Sequence, residues 1–240
     1  MATQKIKLKR REEIAVGTMA FHFEKPHGFV FIPGQAGDFT LTNPPETDAE
    51  GNKRSFTLAS APYEQDLIIA TRMRDTAFKR SLKAIPLGTE LDLEAPWGEL
   101  VLHKDASIPA VFLTGGIGIT PARSIVLQAT CDKLPQKLVL FYSNHRPEDA
   151  AFLDEMTQAR KENPNFTLLA TMTNMEKSSQ PWKGETGYID EAMLKKHLGD
   201  IATPIYYISG PPAMVGAMQK TLIKAGVKHD HIRDEEFSGY

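Results

Sequence analysis

The stretch VFLTGGIGITP, Val111 to Pro121, decides how the chain reads. An apolar run stops abruptly in three glycines, Gly115, Gly116 and Gly118, and a proline follows. Such a run reads as a buried strand, and Pro121 suits the first position of a helix. A turn that bare leaves the helix N-terminal N–H groups open and lets the phosphates of a ligand approach the backbone. The spacing is not the GxGxxG fingerprint, because no glycine occupies its last position. By itself the turn also fits a tight connection that binds nothing.

Its surroundings sharpen the reading. From about residue 106 the apolar runs IPAVFLT, KLVLFYS, FTLLATM and PIYYIS alternate with helical stretches near 121–129, 148–162, 190–197 and 212–225. Strand–helix alternation predicts a parallel sheet with crossover helices, whose strand ends line one crevice. A second bare turn, Gly210-Pro211-Pro212, stands at another strand end. FYSNHRPED brings Ser143, Asn144 and Arg146 to a third, where an adenosine ribose would be read. Three such ends in one crevice favour a dinucleotide. Arg146 would suit the 2′-phosphate of NADPH, while Glu148 and Asp149 would repel it and favour NADH. The sequence leaves that choice open.

Residues up to about 105 follow a different rhythm. Runs such as AVGTMAFHFE, RSFTLAS and DLIIATRMR are short, alternating and broken by Gly, Pro and Asp, which predicts an antiparallel barrel or sandwich. One helix interrupts it, TAFKRSLKAI, with Phe78, Leu82 and Ile85 on one face. NPPETDAEGNK, 43–53, is a polar insertion long enough to be a flap. In the strand after it, Arg54, Phe56 and Leu58 share one face, and Ser55 and Thr57 the other. Arg54 suits a phosphate, Phe56 offers a ring to pack against, and Thr57 offers a hydrogen bond. The boundary between the halves falls near 104–107, giving domains 1–105 and 106–240.

Composition excludes several classes. The chain has 240 residues, 41% of them hydrophobic, with a net charge of -2. That charge does not suit nucleic acid or an anionic membrane. The basic KIKLKRR is followed at once by Glu12 and Glu13 and reads as an exposed first strand. No apolar stretch reaches the length of a membrane span, and no signal-peptide pattern opens the chain. One cysteine, Cys131, allows neither an internal disulfide nor a four-thiolate iron–sulfur site, and it reads as a small inert side chain at a helix end. A cytoplasmic setting is therefore expected. His229 and His231 would share a strand face but lack a third ligand, so no metal is expected. Trp97 is placed at the domain junction.

The order of motifs resembles the ferredoxin–NADP reductase family of flavoproteins, including the reductase modules of bacterial oxygenases. FIPGQAGDF, RSFTLAS, TAFKRSLKAIPLG, APWGEL, LTGGIGITP, SGPPAM and EEFSGY follow one another in that family's order across essentially the whole chain. The resemblance implies a six-stranded antiparallel FAD-binding barrel followed by a Rossmann-like parallel-sheet domain for NADH or NADPH.

It also implies roles. Arg54 would bind the FAD pyrophosphate, Phe56 would stack on the flavin, and Thr57 would hydrogen-bond near the reactive nitrogen. The backbone at Thr76–Lys79, through Ala77, Phe78 and Lys79, would take the pyrophosphate. Ser55, Thr71 and Arg72 would complete the FAD side. Thr114, Gly115, Gly116, Gly118, Thr120, Ser143 and Arg146 would cradle the pyridine nucleotide, with Gly210, Pro211 and Pro212 beside the nicotinamide. Ser209 replaces a cysteine common in relatives, and Phe56 replaces a common tyrosine. Phe237 or Tyr240 would cover the flavin face. The catalytic set implied is Thr57, Ser209 and Phe237. The reaction implied is hydride transfer from NAD(P)H to flavin. Electrons then pass to a separate protein or a small-molecule acceptor, since this chain has no cysteines for an iron–sulfur domain. A nucleotide-sensing protein of the same fold, or an electron-transfer subunit of a larger complex, is the alternative.

Overall fold

The computed structural model describes residues 3–237. The first lobe holds strands β1 (Gln4–Ala15), β2 (Thr18–Glu24), β3 (Ala36–Leu41), β4 (Lys53–Thr57) and β5 (Asp66–Arg72), then helix α1 (Ala77–Ala84) and β6 (Glu90–Trp97). The second holds β7 (Ala110–Gly115), α2 (Ile119–Cys131), β8 (Leu138–Asn144), α3 (Leu153–Glu162), β9 (Phe166–Met172), β10 (Glu185–Thr186), α4 (Glu191–Leu198), β11 (Ile205–Gly210), α5 (Pro212–Lys224) and β12 (Ile232–Glu236).

The first lobe is a six-stranded antiparallel sheet in the order β4-β3-β6-β1-β2-β5. Its ends meet just beyond β4: the Ala59 amide donates to the Ile68 carbonyl at 2.7 Å, and the Ile68 amide to Ser60 Oγ at 3.1 Å. Ile6, Leu8, Phe21, Phe39 and Leu93 fill the interior. Helix α1 plugs it with Phe78, Leu82 and Ile85, the face its 3–4 spacing predicts. The basic residues of β1 lie against cross-strand acids, with Lys5 on Asp92 at 2.5 Å and Lys9 on Asp66.

The second lobe is a six-stranded parallel sheet, β10-β9-β8-β7-β11-β12. All six residues of β7 are buried, as a central parallel strand requires. The chain builds outward from β7 through β8 to β10, then crosses over to add β11 and β12 on the other side. The crevice of an open sheet lies where the direction reverses, between β7 and β11.

One expected helix is interrupted. Residues 148–162 do not form one helix; a short 3-10 turn, Pro147–Asp149, is followed by α3 from Leu153. Phe152 between them has φ 59°, a left-handed backbone that a helix excludes. Its ring lies 4.8 Å from the Arg123 guanidinium, and tertiary packing overrides the helical pattern there.

Arg123 joins the lobes. Its Nη1 donates to the Ala59 carbonyl of the barrel at 2.7 Å and to Glu64 at 2.9 Å. Its Nη2 reaches the other Glu64 oxygen at 3.1 Å, and its Nε donates to Glu155 of α3 at 3.0 Å. The next residue repeats the link, with Ser124 Oγ donating to the Ser60 carbonyl at 2.7 Å. Apolar packing is continuous beneath them, from Ala20, Ile68 and Leu100 of the barrel to Ile119, Ala122 and Ile125. Arg123 is 4% exposed, so removing it strands Glu64 beside a dry junction. Arg123→Ala should lower unfolding stability by about 3 kcal/mol, the usual loss for one partner of a buried pair. A urea midpoint equal to that of the parent protein would disprove the clamp.

Candidate functional site

The sheet register brings the turns together. Gly115 lies beside Ser143, Thr114 beside Ser209, and Gly210 beside Glu236. The glycines of the opening stretch answer different demands. Gly116 has φ 53°, where a side chain is strained. A Cβ on Gly115 would stand 2.3 Å from Met214 Sδ, and one on Gly118 would stand 2.3 Å from the Ser209 carbonyl oxygen. The bareness therefore serves two ends. Gly115 and Gly116 face the crevice, whereas Gly118 lets the two strand–helix turns pack backbone to backbone.

This corrects part of the expected nucleotide cradle. Ser209 is 1% exposed, and its hydroxyl donates to the Gly118 carbonyl at 2.7 Å instead of facing the crevice. Thr114 is fully buried, with its hydroxyl 3.4 Å from the Phe141 carbonyl. Gly210 packs against Gly115 and accepts the Phe237 amide at 2.9 Å. Pro212 starts α5 on the exposed side.

A pocket of about 480 Å³ lies over this rim, lined by Gly115, Gly116, Ser143, Asn144, Pro211 and Met214 among others. Arg146 does not reach into it. Its Nε and Nη2 donate to the two oxygens of Asp149 at 2.8 and 2.7 Å, and Glu148 stands 3.6 Å away. These carboxylates hold the guanidinium more firmly protonated than usual, the Asp149 hydrogen bond most of all.

A larger cleft of about 840 Å³ runs between the lobes. Arg54, Ser55, Phe56 and Thr57 form one wall with Thr71 and Arg72. Ile117, Thr120 and Phe237 of the second lobe form the opposite wall. Thr120, expected with the nucleotide turn, thus faces this cleft, and its hydroxyl donates to the Ile117 carbonyl at 3.2 Å. Phe78 is 1% exposed in the barrel core, 5.9 Å from the Phe56 ring, and only its neighbours Thr76 and Lys79 line the cleft. Arg72 lines both cavities, so the two adjoin at that residue. Tyr240 lies outside the described residues.

The cleft is cationic on one side, where Arg54, Arg72, Arg74 and Lys79 converge. Burial, then the charges of Arg74 and Arg54, push the Lys79 ammonium below its ordinary pKa. The shift reports a half-buried ammonium with two guanidinium groups nearby. Arg74 went unnoticed in the sequence, although its spacing from Arg72 puts both on one side of an extended chain. Thr57 Oγ1 is buried with no hydrogen-bond partner, and so is Asn144 Nδ2 in the upper pocket. Buried polar atoms of that kind are rare without a ligand or water to satisfy them. An aromatic wall, a waiting hydroxyl and a cationic end match a flavin bearing a diphosphate. Among the described residues no group of His, Cys, Asp or Glu is placed to hold a metal.

Glu235 is a residue the sequence did not single out. It lines the cleft near Trp97, and burial alone raises its carboxyl pKa. No local motif signals this, because the desolvation comes from both lobes. A raised folded-state pKa makes the ionised form costly in the folded chain. That cost is absent below the ordinary carboxyl value of 4.5 and grows as pH rises through it. Glu235→Gln should therefore stabilise the protein at pH 7 and not at pH 4, read as thermal midpoints across pH. An equal shift at both would show that charge is not the cause. Thr57→Val should leave the free protein at least as stable, by up to about 1 kcal/mol, because it removes an unpartnered hydroxyl, while weakening flavin binding. Lower stability of the free variant would show that the hydroxyl is already satisfied.

The comparisons agree with this geometry. The oxidoreductase NAD-binding domain family matches residues 112–220. The chain is 27% identical over 226 residues to the glycine betaine monooxygenase reductase subunit of Chromohalobacter salexigens, covering 92% of this chain and 60% of that one. It is 27% identical over 201 residues to a subunit of the Na(+)-translocating NADH-quinone reductase of Actinobacillus succinogenes, covering 78% and 49%. The chain thus spans about half to three-fifths of these relatives' lengths. The flavohem-like FAD/NAD binding domain of Vibrio cholerae nitric oxide dioxygenase superposes with a TM-score of 0.84 at 17% identity, covering 97% of this chain and 98% of that one. A ferredoxin NADP+ reductase from Neisseria gonorrhoeae, solved with bound FAD and NADP, superposes at 0.80 with 20% identity, covering 98% of each. Residues 112–220 thus match the oxidoreductase NAD-binding domain family, and along nearly its whole length the chain has the two-domain fold of these reductase structures.

Proposed function

We propose that the protein is an FAD-dependent NAD(P)H oxidoreductase that takes hydride from a nicotinamide nucleotide and delivers electrons to a separate protein or a small-molecule acceptor. One observation carries this reading: the cleft with its aromatic wall and cations shares Arg72 with the glycine-lined pocket beside it. Residues 1–105 are the flavin lobe and 106–240 the nucleotide lobe. The bound flavin supplies the chemistry of accepting a hydride and releasing electrons one at a time.

The chain's residues bind and orient. Phe56 and Thr57 form the ring wall, with the Thr57 hydroxyl free to bond a ring nitrogen. Arg54, Arg74, Lys79 and the amide of Ala77 would hold the phosphates. Gly115, Gly116 and Ser143 would receive the dinucleotide, with Asn144 Nδ2 a donor open to it. Ser209 is a positioning residue, since its bond to Gly118 fixes one turn against the other. Phe237, anchored through Gly210, lines the cleft and would cover the flavin face. Relatives named as the reductase parts of oxygenases and of a quinone reductase support a partner component as the acceptor. With a single thiol, Cys131, exposed at the end of α2, a reducing cytoplasmic setting suits the chain.

NADH is the favoured donor. Arg146, the cation expected beside the adenosine ribose, is turned to Asp149 and Glu148 and does not offer a free charge to a 2′-phosphate. Protein loaded with FAD should turn yellow and bleach anaerobically with NADH at far lower concentration than with NADPH. Asp149→Asn should narrow that gap by about tenfold, the worth of one charge-assisted pair. Colourless protein that takes up no flavin would defeat the whole reading. Faster bleaching by NADPH would defeat only the donor assignment.

A further inference from the structure

The flap 43–53 reads in the sequence as polar surface, yet its acids tie it to the groups beneath. Glu46 takes the Arg80 guanidinium two-pronged, at 2.7 and 2.6 Å, and its carbonyl accepts Ser81 Oγ at 3.1 Å. Asp48 Oδ2 accepts the amide of Ala77, the first residue of α1, at 3.2 Å. Its Oδ1 stands 3.5 Å from Arg54 Nη2, and Glu50 Oε2 holds the same nitrogen at 2.7 Å. Arg54 Nη1 is turned to the flap backbone, donating to the Glu50 carbonyl at 2.9 Å and that of Lys53 at 2.7 Å.

Two donors suited to the phosphate arm of a flavin are therefore already holding carboxylates. A helix N-terminal N–H and a guanidinium are the partners a phosphate takes. Asp48 and Glu50 stand where that anion would go. Both remain in reach of water, with side-chain exposures of 36% and 71%, so they release without stranding a buried charge. The Thr57 hydroxyl of the ring wall is bonded to neither acid. Lys79 gives one bond to the Arg72 carbonyl, at 2.7 Å, and with Arg74 it lines the cleft where a newcomer's charge would lie.

We propose that Asp48 and Glu50 are internal competitors for the phosphate arm of the flavin, specificity-determining residues that hold down the preference for FAD and FMN over riboflavin. This rests on the flavin reading above. FAD enters by taking the Ala77 amide and Arg54 from the flap, and riboflavin, which has no phosphate, never meets the competition. A flap that merely caps the barrel would affect all flavins alike.

Equilibrium dialysis of riboflavin, FMN and FAD against the flavin-free protein and the Asp48→Ala/Glu50→Gln variant tests this. The variant should bind FAD and FMN about tenfold more tightly, the worth of one charge-assisted hydrogen bond, and riboflavin unchanged. Riboflavin binding also reports an intact ring site. If the double variant loses it, Glu50→Gln alone decides, and it should shift the FAD-to-riboflavin ratio in the same direction by a smaller factor. A ratio that stays level or falls overturns the competitor role while leaving the flavin site standing. A parent protein that binds none of the three overturns both.

Discussion

The cleft between the lobes is only as well defined as the joint behind it, and that joint is a buried guanidinium. A charge out of water is tolerable when its donors are satisfied and its countercharge is close. Arg123 meets both conditions by drawing one carboxylate from the barrel, one from α3 and a carbonyl from the strand exit at Ala59. The arrangement is directional. A guanidinium plane, bonded on three sides and stacked over Phe152, fixes rotation as well as distance. Apolar packing from Ile68 to Ile125 supplies the cohesion, and the polar bonds supply the register between walls that must face each other.

The site itself runs against stability. An unpartnered hydroxyl at Thr57, an unpartnered amide at Asn144, a desolvated Glu235 and a depressed Lys79 each leave the free chain less stable than a satisfied surface would. Thr57, Glu235 and Lys79 line the cleft and Asn144 the pocket beside it, where a ligand that relieves them would stabilise the folded chain by mass action.

Much of this was legible in the residues. Alternation in the first half and strand–helix rhythm in the second foretold two lobes, and the polar strand ends foretold the crevice. What could not be read was direction. RSFTLAS shows an arginine near a ring and a hydroxyl, but not that Arg54 turns toward Glu50. LTGGIGITP shows bareness, but not that Gly118 is bare for the sake of Ser209. The interruption at Phe152 was hidden because the group its ring packs against, Arg123, lies on another helix. Glu235 was hidden because burial is a property of the assembled lobes.

Arg72 belongs to both cavities. A side chain shared in this way cannot be altered for one cavity alone: any exchange there changes the shape and charge of both, so the two lobes are constrained together at that position.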